Sequence, residues 1–246
     1  MSRSSHDARP RPGRLRAHLD VIVVVVVLTC TELIAHCAGA VAGMITVPIA
    51  VAALVALMRL RGIGWAELGL GRRHWRRGTK YALVAAGIVL AGVGLGLLLP
   101  FTRPFFLNNR YATVSGALLA SLVLIPLQTV IPEEFAFRGV LHGALDRAYG
   151  ARGVFAAGSL LFGLWHVASS VGLTSGNRGL SAILGGGIAG QLSGIALAVL
   201  ATGAAGFVFT WLRRRSGSLL APIALHWSLN GAGALAAALA WHVAVR

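Results

Sequence analysis

Ile131-Pro-Glu-Glu-Phe-Ala-Phe-Arg138 decides how the rest of this chain is to be read. Glu133 and Glu134 are two of only seven acidic residues, and they lie inside a run otherwise apolar enough to cross a bilayer. Even on lenient insertion scales a charged side chain at the bilayer centre costs a few kcal/mol, about +2.5 to +3.5 for Asp, Lys or Arg. Carboxylates placed there mark a functional site. On a helix Glu134 and Arg138 are one turn apart and face the same way, which lets them neutralise each other. Glu133 points about 100° away from its neighbour, so it is the carboxylate left free to face a cavity. Burial would raise its pKa and suit it to act as a general base. A Glu-Glu-Arg knot that only ties helices together is the alternative from this segment alone.

The surrounding chain is a polytopic membrane protein. It has 246 residues, of which 57% are hydrophobic and only 12% charged, with a mean hydropathy of +0.77. A net charge of +15 would suggest a nucleic-acid partner in a soluble chain. Here the basic residues stand in short clusters between apolar runs, where they orient a membrane protein, and no nucleic-acid partner is expected. About twenty apolar residues make one helical crossing at 1.5 Å rise each. On that ruler spans are expected near 20–38, 41–58, 81–100, 112–145, 153–171, 190–212 and 219–241. The fold class is therefore an all-α transmembrane bundle of about seven spans. An eighth is possible, because the fourth run is overlong and contains Pro126 and Pro132, and the Gly-rich stretch 172–190 is ambiguous.

With the N-terminus inside, the cytoplasmic segments hold seventeen Lys and Arg residues and the opposite side four, which favours a cytoplasmic N-terminus. The Arg- and Pro-rich stretch 1–19 reads as a disordered basic tail, and 20–246 as one transmembrane domain. The first apolar run lacks a small-residue cleavage site and is expected to be retained as a helix. Within it, Glu32 and His36 are four apart and should pair. Cys30 and Cys37 are two turns apart, which rules out a disulfide between them. Gly92 and Gly96 form a small-xxx-small pair expected to allow close helix packing.

Two later segments bear on Glu133. The fifth expected span carries Phe162-Gly-Leu-Trp-His166, and the last carries His226-Trp-Ser-Leu-Asn230. Counted from the cytoplasmic ends of their spans, Glu133 and His166 lie about 20 Å deep, Asn230 about 17 Å and His226 about 10 Å. Kinks and tilt would bring them into one layer. A carboxylate, two imidazoles and an amide in one pocket are the parts needed to hydrolyse an amide: a base for water, donors for the oxyanion, and an acid for the leaving amine.

The ordered trio Glu133-Glu134-x-x-x-Arg138, Phe162-x-x-x-His166 and His226-x-x-x-Asn230 resembles the CPBP family, the CAAX prenyl protease 2 and bacteriocin-processing group also called Abi. Its flanks are similar too: Phe137-Arg138-Gly139, Glu67-Leu-Gly-Leu70 and Ser218-Leu-Leu-Ala-Pro222. The likeness covers roughly residues 60–235. It implies an intramembrane endopeptidase in which Glu133 and His166 activate water, His226 and Asn230 hold the oxyanion, and Glu134 and Arg138, with Phe162, support the site. The family is commonly described as metalloproteases. Glu133, His166 and His226 could supply an oxygen and two nitrogens to Zn²⁺, but they lack a paired His-Glu-x-x-His motif, and a metal-free glutamate mechanism stands beside that reading. The implied partners are membrane lipid and a membrane-bound or lipidated peptide. The Arg- and Ala-rich composition suggests a bacterial plasma membrane. The rival reading is a transporter or immunity protein that binds a peptide or proton without cutting, although no inverted repeat with broken helices is apparent.

Overall fold

The computed structural model describes residues 13–244. Every apolar run becomes a helix, because inside a bilayer only intra-segment hydrogen bonding satisfies the backbone. α1 is Arg14–Cys37, α2 Ala40–Leu60 and α3 Trp75–Leu98. A 52-residue helical run, Val114–Trp165, follows. It is broken at Gly150, whose φ of 66° and ψ of −165° lie where a side chain is not tolerated. The two arms are α4 (114–149) and α5 (151–165). α6 is the short Arg178–Leu184, and α7 and α8 are Gly187–Ser216 and Leu220–Ala244. Among the described residues there is no strand, and the chain is a helical membrane bundle.

Three boundaries differ from the sequence expectation. α1 begins at Arg14, so 14–19 of the expected disordered tail is helical, while 1–12 lies outside the described residues. α5 ends at Trp165 rather than near 171, and His166 caps it with φ −88° and ψ 4°. The cause is local: the Ser170 hydroxyl and main-chain N–H both donate to the His166 carbonyl and turn the chain into a short 3₁₀ segment. The stretch 172–190 holds turns and the seven-residue α6, too short to cross a bilayer.

α4 does not split at its prolines. Residues Ala120–Val130 and Phe135–Leu141 are wound with i→i+5 hydrogen bonds; the Ile131 N–H, for example, donates to the Pro126 carbonyl. The wider turn absorbs a residue that has no N–H and would crowd the preceding turn of an α-helix. Between these two wide stretches sits a single α-turn, Ile131–Glu134, carrying both glutamates. Helix irregularity of this kind often marks a functional site.

Packing around α4 is closest where glycine removes the side chain. α5 crosses α7 at Gly163, Gly203 and Gly206; a Cβ on Gly163 would stand 2.7 Å from the Val199 carbonyl oxygen, and one on Gly206 3.1 Å from the Phe162 ring. Of the expected Gly92–Gly96 pair only Gly96 makes a close approach, a Cβ there standing 3.1 Å from the Phe106 ring, whereas one on Gly92 would meet nothing within 4 Å. Along α8 the buried positions include Ala221, Ala232, Ala234 and Ala236 to Ala238, small enough for neighbouring helices to approach. The difference between Gly163 and Gly92 is testable by unfolding purified protein in detergent. Gly163→Val should lose about 1–3 kcal/mol, the usual cost of overpacking, whereas Gly92→Val should stay within about 1 kcal/mol, the helix-propensity difference at an open position.

Candidate functional site

The site is built on Arg138, whose side chain is 2% exposed and whose partner Glu134 is fully buried. Arg138 Nη1 donates to Glu134 Oε1 at 3.2 Å, the ion pair expected from their spacing. Nη2 reaches the Gly206 carbonyl of α7 at 3.5 Å. The flat faces of the guanidinium are enclosed by aromatic rings. Its carbon lies 3.9 Å from the Phe162 ring centre, 4.7 Å from Phe209 and 5.8 Å from Phe137. Such cation–π contacts strengthen when water is excluded.

Glu134 has a second partner. His226 Nδ1 lies 2.8 Å from Glu134 Oε1, and the ring stacks on Phe209 with centres 5.1 Å apart. A buried imidazole next to a carboxylate oxygen donates its Nδ1–H there, which leaves Nε2 as the nitrogen able to act on another group. Asn230, one turn further along α8, is exposed and shares no hydrogen bond with the other site residues. The structure thus joins His226 to Glu134, a contact across 92 residues of sequence, and leaves Asn230 outside that network.

Glu133 is buried at 7% exposure, and its Oε2 has no hydrogen-bond partner. His166 Nε2 stands 3.9 Å from that oxygen. The other ring nitrogen of His166, Nδ1, lies 2.8 Å from the Phe162 carbonyl. A carbonyl can only accept, so Nδ1 carries a proton, and in the neutral form of the ring Nε2 presents a lone pair toward Glu133. Two acceptors therefore face each other across a gap too long for a direct bond. Among the described residues no three His, Cys, Asp or Glu side chains stand together in a way that would hold a metal ion. Glu133 and His166 converge, while His226 gives its Nδ1 to Glu134 and keeps Nε2 free, the arrangement by which a carboxylate orients a metal-ligating histidine.

Beside this gap an apolar cavity of about 370 Å³ opens between α1, α4 and α5, lined by Leu28, Glu32, Phe137, Leu161, Leu164 and Trp165. Glu32 pairs with His36 at 3.2 Å as expected.

One residue essential to the geometry was read in the sequence only as a topological charge. Arg213, at the end of α7, is buried; its Nε donates to the Arg138 carbonyl at 3.2 Å and its Nη2 to the Glu67 carbonyl at 2.7 Å. The Leu219 N–H donates to the Gly69 carbonyl, and a Cβ on Gly69, which has φ +86°, would stand 2.5 Å from Arg213 Nε. The three flanking sequences Glu67–Leu70, Phe137–Gly139 and Ser218–Pro222 are thus packed on one another behind the site. Phe209 was also missed; only its contact with His226 and Arg138 identifies it.

Residues 115–232 match the family model described as Rce1-like: Type II CAAX prenyl endopeptidase Rce1-like. No curated protein and no solved structure matches the chain. The matched segment contains all seven expected site residues, and α1 to α3 lie outside it.

Breaking the buried pair should unfold the protein more readily than removing it whole. Arg138→Ala strands the Glu134 charge and should cost about 3–5 kcal/mol, as for other buried pairs that lose one partner. The double variant Glu134→Gln/Arg138→Met should be markedly less destabilised, and unfolding midpoints of the two variants in detergent, measured against wild type, check the difference.

Proposed function

Because residues 115–232 belong to the Rce1-like, type II CAAX prenyl endopeptidase family of the CPBP group, we propose that this multi-pass membrane protein is an intramembrane endopeptidase acting on a membrane-bound or lipidated peptide. The observation that carries the reading is the pair of acceptors, Glu133 Oε2 and His166 Nε2, 3.9 Å apart with the carboxylate oxygen otherwise unpartnered. A molecule with two O–H donors satisfies both. A water placed about 2.8 Å from each atom would subtend an angle near 90°, and a polar gap of this length commonly holds one.

In this mechanism Glu133 removes one proton from that water as its oxygen attacks the scissile carbonyl carbon. The carbonyl π electrons move to oxygen and form a tetrahedral oxyanion. His226 stabilises it through Nε2, which requires the ring to carry both protons; its Nδ1–H is held by Glu134, which keeps the ring oriented. Asn230 adds its amide once substrate or a small rotation of α8 brings it to the oxyanion. The proton held by Glu133 then passes to the departing amine, the C–N bond breaks, and the carboxylate is restored. Glu134 and Arg138 position His226 and α4, and Phe162 fixes the tautomer of His166 through its carbonyl. No step passes through a metal ion.

The substrate class follows from the surroundings. The apolar cavity beside His166 suits a hydrocarbon chain or an apolar peptide segment better than a charged one, which supports a lipid-anchored or membrane-embedded peptide. A bacterial plasma membrane is the setting the composition favours, with the N-terminus on the cytoplasmic side.

Purified protein should cleave at least one member of a panel of membrane-anchored peptides, prenylated CAAX peptides included. Glu133→Ala should lower the rate by about 10²–10⁴-fold, the usual worth of a general base, and the response to chelator separates a Zn²⁺-dependent reaction from a metal-free one. Equal cleavage by wild type and variant would sink the assignment of Glu133, and loss of activity on chelation would assign the Zn²⁺ reading.

A further inference from the structure

Behind the site, at the end of the bundle where the 62–70 loop meets α4 and α7, lies a second, polar cavity of about 240 Å³. Its walls include Glu67, His142, Asp146, Arg147, Arg213 and Arg214. Two of its carboxylate–guanidinium contacts are closed: Arg147 binds Glu67 at 2.8 Å, and Arg214 Nη1 binds Asp146 at 2.8 Å. Arg213 has no such partner. It is 6% exposed, yet among the described residues no carboxylate lies within 4.0 Å of it. Its hydrogen bonds go only to main-chain carbonyls, those of Arg138, Ala66 and Glu67, through Nε and Nη2. Nη1 makes no hydrogen bond within the protein and is not among its enclosed polar atoms, which leaves it available to a group in the cavity. His142 is likewise 7% exposed with a buried Nδ1 that has no hydrogen-bond partner.

Arg213, whose nearest acidic influence, Asp146, is already bound to Arg214, and a buried imidazole nitrogen without a partner line one cavity. Buried charges are ordinarily paired and buried polar atoms hydrogen-bonded. One group satisfies both, an oxyanion that accepts from Arg213 Nη1 and from the imidazole N–H, with the remaining nitrogens of half-exposed Arg214 at its rim. A cation would be repelled, since three guanidinium groups face two carboxylates that are already engaged. We propose that this cavity is a phosphate-binding site, filled either by the headgroup phosphate of an anionic phospholipid or by free phosphate. The guanidinium geometry of Arg213 and Arg214 suits a phosphate oxygen set. Because Arg213 also holds the Arg138 carbonyl to the 62–70 loop, occupancy stiffens the wall behind Glu134 and Arg138. The inference does not depend on peptide cleavage and is read without a substrate.

The test is thermal unfolding of purified full-length protein, in neutral detergent with increasing inorganic phosphate against sodium chloride of matched ionic strength, and in nanodiscs of phosphatidylcholine with or without phosphatidylglycerol. Wild type should be stabilised by one or both phosphate sources beyond the chloride control. Arg214→Gln, at the rim where folding is least at risk, should require at least fivefold more phosphate or phosphatidylglycerol for the same shift, and His142→Asn should behave alike. Arg76→Gln, which lies outside the cavity, should match wild type. A response to phosphate alone assigns a soluble anion, and a response to phosphatidylglycerol alone assigns a lipid headgroup. No shift beyond chloride, or an equal shift in Arg214→Gln and wild type, overturns the site.

Discussion

A guanidinium in the middle of a membrane bundle persists only if its charge is matched, and Arg138 meets that condition with contacts drawn from four helices. Glu134 comes from its own helix, Phe162 from α5, Phe209 and the Gly206 carbonyl from α7, while His226 from α8 shares the Glu134 oxygen. Remove that pairing and each of these elements loses its reason for its position. The aromatic cage around the cation also excludes water, which makes every charge inside it count for more. The same residues that hold the bundle together therefore set the electrostatics of the site.

Two adjacent glutamates acquire opposite tasks from this arrangement. Glu134, fully buried, uses one oxygen for both Arg138 and His226 and so holds their side chains together. Glu133 is turned away from the cation and stands opposite His166 Nε2. The single α-turn that carries them is set between two wider, i→i+5 stretches of α4. That irregularity sets the two side chains apart, one to the ion pair with Arg138 and the other toward His166.

The back of the site is held by a different device. Arg213 uses three main-chain carbonyls to fasten the end of α7 to α4 and to the 62–70 loop, at a place where Gly69 leaves room for its side chain. Main-chain carbonyls satisfy its hydrogen bonds but not its charge. That arrangement, set beside the unpartnered His142 nitrogen, distinguishes this end of the bundle from the candidate site, where the buried Arg138 has a carboxylate.

Local periodicity and hydropathy made the all-helical membrane fold legible, because a bilayer allows few backbone solutions and twenty-residue apolar runs announce themselves. The i,i+4 pairing of Glu134 with Arg138 and of Glu32 with His36 was equally plain, since both partners lie on one helix with fixed geometry. The separation of Glu133 from Glu134 followed from the same helical angle. What composition and spacing could not supply was any contact between helices. The His226–Glu134 bond, the stacking on Phe209, the exposure of Asn230, the end of α5 at Trp165, the seam at Gly163 and Gly206, and the carbonyl clip of Arg213 all join residues distant in sequence or depend on a turn's hydrogen bonds. Those were decided by tertiary packing: one dimension of sequence records which faces are apolar, while the rotation and depth of one helix against the next are set by side-chain volume and by the partners that buried polar atoms must find.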